Sequence, residues 1–344
     1  MKSVKIIFIN FGIFIILFLL IEFFFGSWFK DTNFGYSIRE IRNLNIPMSV
    51  KFDGKIYNYH FKRNSYGFIG EQINPKDIKV LFLGGSTGEE MFKPQEFSIV
   101  EQINSKLQED NLNLKIINAS KSGKSSRGYV NDLKYWFPKI KNFDPKIIIF
   151  YTGINDSLLE IPDHFDLVIK DKFLDKLEDY FKNNSIFYSL KKKIQNKYFS
   201  KTRKHYGLIQ DDLYKNFSLI DYKKAFKTYK GLELNQKNQN VMNNLKKNLE
   251  NLRQIINQEK IVPVFITQIR FDGLGSFNLF LVNEYLKKFC EENNYEIIKL
   301  DEMNYILDDK DFYDDVHTSI EGSRKLSNLI YFELKEIFKN NILQ

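Results

Sequence analysis

The chain is predicted to fold as a doubly wound α/β domain, with a parallel sheet of about five strands between helical layers. Two observations lead there. From residue 78 onward, short apolar runs alternate with longer stretches of helical period. The runs are apolar at nearly every position instead of every second one, the pattern of strands covered on both faces.

The strands are expected at Ile78–Leu83, Leu114–Asn118, Lys146–Thr152, Ile261–Thr267 and Glu296–Leu300. Helices are expected between them at Gln95–Asp110, Gly128–Asn142, Asn240–Gln258 and Phe277–Asn293, with Ile320–Phe338 closing the chain. Strands separated by helices must run parallel through crossovers, which gives a flavodoxin-like, three-layer arrangement. One connection breaks the rhythm. Residues 158–237 form an insertion with helical signals at Asp171–Asn183, Ser189–Tyr198 and Tyr222–Lys230, read as a cap or partner-binding element. No internal repeat is visible.

The 344 residues are 43% hydrophobic and 16% aromatic, enough to fill a core and to exclude global disorder. The sole cysteine, Cys290, excludes a disulfide within the chain and a cysteine-based zinc site, and is read as a small core residue. Ile6–Phe25 is interrupted only by Asn10, Gly12 and Glu22. About 20 residues at ~1.5 Å each cross a ~30 Å hydrocarbon layer, so this run is expected to be a transmembrane helix. A cleaved signal peptide is the rival reading. The run is longer than the usual apolar region of such peptides, and Phe23-Phe-Phe-Gly-Ser-Trp28 offers no small-x-small cleavage site. Residues 1–29 are therefore expected to be an uncleaved anchor. Lys2 and Lys5 before the span place its N-terminus in the cytoplasm and export the rest. Glu22 is the weak point, placed near the far end where it can reach the interface. Residues 30–77 form a juxtamembrane segment of strand and turn signals, and 78–344 the main domain.

The net charge is +8, and it is concentrated. Between Lys182 and Lys230 thirteen Lys or Arg face three Asp, a local charge of +10. This is either a solvated helical face or a patch for anionic headgroups or acidic polysaccharide. Nucleic acid fits poorly with an exported domain.

Ligands of open α/β sheets gather at the carboxyl ends of the strands, and the notable residues fall there. Ser86 follows the first strand in Leu81-Phe-Leu-Gly-Gly-Ser-Thr-Gly-Glu-Glu90. Asp314 and His317 lie near the C-terminus in Phe312-Tyr-Asp-Asp-Val-His-Thr-Ser-Ile-Glu-Gly322. A serine hydroxyl is a weak nucleophile at neutral pH. It needs an imidazole to take its proton and a carboxylate to fix the tautomer. The three residues supply these roles, with Asp311 and Asp315 as less well spaced orienters and His164 as the rival base. Bland alternatives exist for each. Ser86 can cap a glycine turn, and Asn155 in Tyr151-Thr-Gly-Ile-Asn-Asp156 can cap a helix or donate to a developing oxyanion. Gly123 in Asn118-Ala-Ser-Lys-Ser-Gly-Lys-Ser-Ser126 can be an ordinary turn. A phosphate loop is excluded there, because Asn118 stands where Gly-x-x-x-x-Gly-Lys needs glycine. Gly84–Gly88 also fits Gly-x-Ser-x-Gly, but a nucleophile elbow has strands and an oxyanion loop before its serine, whereas Ser86 follows the domain's first strand.

Ser86, Gly123, Asn155 and His317, in that order after successive strands, resemble the four blocks of the SGNH (GDSL-like) hydrolase superfamily. The resemblance covers about residues 79–156 and 262–334, and reaches neither the anchor nor the insertion. Gly85 stands where the family's aspartate would. Asn64-Ser-Tyr-Gly-Phe-Ile-Gly70 is similar to a segment of membrane-anchored members linked to envelope-polysaccharide acylation. The resemblance implies a serine esterase with the Ser86–His317–Asp314 triad and an acyl-serine intermediate. It implies an oxyanion hole from the Ser86 and Gly123 amides and the Asn155 side chain. It also implies an acylated carbohydrate or lipid substrate, with no metal and no organic cofactor. An O-acyltransferase using the same residues is the alternative, and a non-catalytic binding protein of this fold the third.

Overall fold

The computed structural model describes residues 2–29, 42–52, 54–159, 166, 173–195, 203–205, 220–303 and 306–341. It opens with α1 (Lys2–Phe25), β1 (Leu44–Phe52) and β2 (Lys55–Arg63). The first half of the main sheet follows: β3 (Val80–Gly84), α2 (Ser86–Glu89), α3 (Ile99–Glu109), β4 (Ile116–Asn118), α4 (Ser126–Asn131), β5 (Ile147–Tyr151) and α5 (Ile154–Ser157). The insertion contains α6 (Phe173–Asn184), α7 (Ile186–Ile194), β6 (Arg203–His205) and α8 (Tyr222–Tyr229). The chain then completes the sheet through α9 (Gln236–Glu259), β7 (Val262–Ile266), α10 (Phe277–Asn293), β8 (Glu296–Ile298) and α11 (Ile320–Asn341).

The main sheet has five parallel strands in the order β4-β3-β5-β7-β8. This is the doubly wound order expected from sequence. Chain direction across the sheet reverses between β3 and β5, which makes their carboxyl ends the natural ligand crevice. Gly84 lies opposite Tyr151, and Tyr151 opposite Ile266, so three strands end level. One face packs Tyr129, Trp136, Leu245, Leu249 and Phe289 of α4, α9, α10 and their flanks. The other packs Ile103 and Leu107 of α3 against Ile330 and Leu334 of α11. Each such side chain contributes about 1.5–3 kcal/mol on burial, which fixes which way each helix faces.

A second sheet, β2-β1-β6, stands beside the first. β1 and β2 are an antiparallel hairpin, and β6 of the insertion joins β1 in parallel. Phe52 and Val50 of this sheet pack on Tyr313, so the juxtamembrane segment lies directly against the loop that carries His317.

Local chemistry moved several helix boundaries. The helix expected at 128–142 ends at Asn131 and passes through a π-turn (Asp132–Trp136) into a 3-10 turn (Phe137–Lys139). Pro138 has no amide hydrogen and its ring crowds the preceding turn. α3 starts at Ile99 because Ser98 caps it, accepting from the Glu101 amide at 3.3 Å, while Gln95–Phe97 form a separate turn. α9 starts at Gln236 because Asn235 and Asn238 form a reciprocal capping box. α7 begins at Ile186; the rest of the helix expected there, residues 196–198, lies outside the described residues, as do His164 and much of the basic segment. Val4–Phe25 is long and apolar enough to be a membrane span or a signal sequence.

Candidate active site

Ser86 is the first residue of α2, two residues beyond the end of β3. It is half-buried, whereas every other residue from Val80 to Glu90 is buried. Glycine at position 85 leaves room for the Asn155 side chain at this turn. A Cβ at Gly85 would lie 2.2 Å from Asn155 Nδ2 and 3.2 Å from the Lys124 carbonyl. The same contact explains why no larger side chain precedes the serine here. It also places Asn155, in α5 just after β5, against the serine turn. Asn155 Nδ2 donates to the Lys124 carbonyl at 2.7 Å, which ties it to the loop after β4. Gly123 in that loop has a left-handed φ of +75°.

His317 Nδ1 lies 2.7 Å from Asp314 Oδ2, and the ring stacks on Tyr313 with centroids 5.6 Å apart. Asp314 Oδ1 accepts from the amides of Val316 and His317 at 2.9 and 2.7 Å. Burial pushes the Asp314 carboxyl up, but the His317 bond and the two amides outweigh it and hold the pKa below the usual carboxylate value. Asp314 is therefore ionised at neutral pH and holds the His317 ring through Nδ1. The competing carboxylates are engaged elsewhere: Asp311 is buried against Lys325 at 2.7 Å, and Asp315 faces Arg270 at 3.7 Å.

A buried network binds the serine block to the histidine block. Glu90 accepts from Lys93 Nζ at 2.8 Å and from Ser323 Oγ at 2.7 Å. Lys93 Nζ in turn donates to the Thr318 carbonyl at 2.5 Å and to Ser323 Oγ at 2.5 Å. Burial lowers the Lys93 pKa, and Glu90 opposes that shift. The structure thus joins His317 to Asp314 directly and packs Asn155 on the turn of Ser86. It shows no hydrogen bond between Ser86 and His317 among the described residues.

Two supports were missed from sequence. Arg63, at the end of β2, donates to Glu89 at 2.6 Å and to the carbonyls of Ser120 and Gly67 at 2.7 Å each. Glu89 accepts from the Ser122 amide at 2.8 Å and from the Ser122 hydroxyl. The hairpin is therefore wired to the residue preceding Gly123. Gln268, after β7, accepts from the Ile154 amide at 2.7 Å and donates to Thr87 Oγ1 at 2.9 Å, bridging the other two loops. The one signal available was position: Arg63 abuts the Asn64–Gly70 segment, and Glu89 closes the serine block. Asp156 is buried beside Asn155 and its pKa is raised to about 7 by burial, with Ser126 as its hydrogen-bond donor. Among the described residues no cluster of His, Cys, Asp or Glu could hold a metal ion.

The arrangement is that of an α/β domain with a serine on a tight turn at the switch point and an Asp–His pair on a facing loop. No family model and no curated protein matches the chain. Among solved structures it is similar to TesA, with 11% identity and a TM-score of 0.44 over 75% of this chain and 98% of that one. It is also similar to the psychrotrophic esterase EstA from Pseudoalteromonas sp., with 13% identity and a TM-score of 0.44 over 76% of this chain and 100% of that one. A lipolytic protein of the G-D-S-L family from Veillonella parvula DSM 2008 shows 15% identity and a TM-score of 0.42 over 76% and 98%. The strand order β4-β3-β5-β7-β8 and its parallel register define the fold.

Proposed function

We propose that this chain is an SGNH-type serine esterase acting on an O-acyl carbohydrate or lipid. The observation that supports it most is the half-exposed Ser86 on a turn otherwise buried, beside the loop that holds the Asp314–His317 pair. Ser86 Oγ attacks the ester carbonyl as its proton passes to His317 Nε2, and Asp314 holds the ring by Nδ1. The oxyanion is met by the amides of Ser86 and Gly123 and by Asn155 Nδ2. Collapse breaks the ester C–O bond, and the departing alkoxide takes the proton from His317. Water then attacks the acyl-serine by the same route and releases the acid. The scheme uses no metal and no organic cofactor.

The second reading is an O-acyltransferase of envelope polysaccharide, in which a sugar hydroxyl replaces that water. The contact between α1 and the insertion favours it, because a retained anchor keeps the site at a membrane. In this account the N-terminus is cytoplasmic and the catalytic domain is on the exported side. The test is full-length protein in detergent with p-nitrophenyl acetate or acetylated glycan, with and without glycan acceptors. Acid release without acceptor supports the esterase. Turnover that requires an acceptor supports the transferase. Absence of any turnover or acyl-enzyme contradicts both.

A further inference from the structure

α6 and α7 leave a row of large apolar side chains exposed. Phe173 and Leu174 are each 74% exposed, and Leu177 and Phe181 continue the same face of α6. Leu190 and Ile194, one turn apart, do the same on α7. Isolated apolar residues on a surface need no explanation, but two amphipathic helices exposing them side by side do.

Their contact with α1 shows which environment they share. Phe18 stacks on Phe187 with centroids 4.4 Å apart and planes 6° from parallel. Phe18 lies about 10 Å along the helix axis from Phe25, at ~1.5 Å per residue. If α1 spans a bilayer, the first turn of α7 is at the depth of acyl chains. Amides of a first helical turn have no partner within the helix, and hydrocarbon offers no water. Glu22 resolves this. Its carboxylate accepts from the Ile186 amide at 3.0 Å, the Phe187 amide at 3.4 Å and the Ser185 hydroxyl, and from Trp28 Nε1 at 3.1 Å. Its charge also sits at the positive end of the α7 dipole. The acidic residue that seemed out of place in the apolar run is a helix cap supplied by the anchor.

Two further features set the depth and the partner. Trp28 packs edge-on against Tyr180 and Phe181, at 5.6 and 5.4 Å, where α1 ends. Aromatic belts of Trp and Tyr occupy that level of a membrane. A cavity of about 520 Å³ walled by Phe18, Phe23, Trp28, Phe181 and Tyr188 opens between α1 and the α6–α7 pair, suited to a lipid acyl chain. Lys182 lies in the last turn of α6 and Lys191 is exposed on α7, basic groups matched to anionic headgroups.

We propose that α6 and α7 form a hairpin lying in the membrane interface, latched to the anchor by Glu22, with anionic phospholipid as its partner. This rests on reading α1 as a retained anchor, and it adds a second membrane contact that is part of the insertion.

The test uses full-length protein in a Cys290→Ser background, with single cysteines carrying the polarity-sensitive dye NBD. Sites are Leu177→Cys and Leu190→Cys in the hairpin, Ile13→Cys in α1, and Leu232→Cys as an exposed apolar control outside both. The protein is reconstituted in vesicles of phosphatidylcholine and phosphatidylglycerol containing acyl-chain doxyl quencher. Quenching at 177 and 190 should exceed that at 232 by at least about twofold, with position 13 strongly quenched. Glu22→Ala should lower the signal at 190 by about half and leave position 13 unchanged. A quenched position 13 with 177 and 190 no different from 232 overturns the hairpin alone. An unquenched position 13 overturns the anchor on which it rests. An undiminished signal at 190 in Glu22→Ala overturns the latch.

Discussion

Arg63→Ala should show that the β1–β2 hairpin supports the loops after β3 and β4. Arg63 and Glu89 pair at 2.6 Å with side chains only 1% and 8% exposed. Removing the cation leaves a buried carboxylate that still holds Ser122, next to Gly123. Breaking such a pair from one side costs about 3–5 kcal/mol. At about 2–4 °C per kcal/mol for a domain of this size, the Tm should fall by roughly 6–20 °C. The pH dependence separates the ion pair from simple loss of packing. In the wild type burial raises the Glu89 pKa, but Arg63 and the Ser122 hydroxyl and amide outweigh it and leave it lowered. A lowered folded pKa means stability that is fully present above the unfolded value, about 4.3, and lost as pH falls through the folded one. Without Arg63 burial dominates, the pKa is raised, and protonation now favours the fold. The Tm gap between variant and wild type should therefore narrow as pH falls from 7 toward about 4. Near-UV circular dichroism of detergent-solubilised full-length protein reads both quantities. A Tm within about 1–2 °C of wild type, or a gap that stays constant with pH, refutes the reasoning.

Asn155→Ala should lower kcat by ~10²–10³ with a smaller effect on KM, since the oxyanion contact strengthens in the transition state; unchanged kcat would leave Asn155 as a tie to Lys124 only. Lys93→Met should destabilise by about 3–5 kcal/mol in denaturant titrations, because it leaves Glu90 buried and unpaired, and the double variant with Glu90→Gln should recover part of the loss. A strictly additive double variant would show that the two do not act as a pair. Replacing the exposed Lys223, Lys224, Lys227 and Lys230 with Gln should leave hydrolysis of a small neutral ester unchanged. It should weaken binding to anionic lipid or acidic glycan in a salt-dependent way, since exposed charges are screened beyond ~8–10 Å. Binding that ignores both salt and substitution assigns these lysines to a solvated face.

The parallel sheet was legible because runs such as Ile147–Tyr151 are apolar at every position, which only a doubly covered strand tolerates. The Asp314–His317 pair was legible because a spacing of three on a turn suffices to join them. Contacts between segments distant in sequence were not. Arg63 reads as one of many basic residues until the fold brings Glu89 to it. Glu22 reads as a flaw in an apolar helix until α7 arrives with unpaired amides. The interruption at Asp132–Trp136 was hidden because the helical period continues up to Pro138, and the second sheet was hidden because β6 is three residues long and its partner β1 is far away in the chain.

The central claim is that Ser86 is a nucleophile activated by His317 and Asp314. The most direct measurement is intact-protein and peptide mass spectrometry after treatment with a fluorophosphonate, on wild type, Ser86→Ala and His317→Ala. The account predicts a single phosphonyl adduct on the peptide carrying Ser86 in wild type. It predicts none in Ser86→Ala and far slower labelling in His317→Ala, with near-UV circular dichroism showing all three folded. An adduct that persists in Ser86→Ala, or labelling in His317→Ala at the wild-type rate, would contradict it.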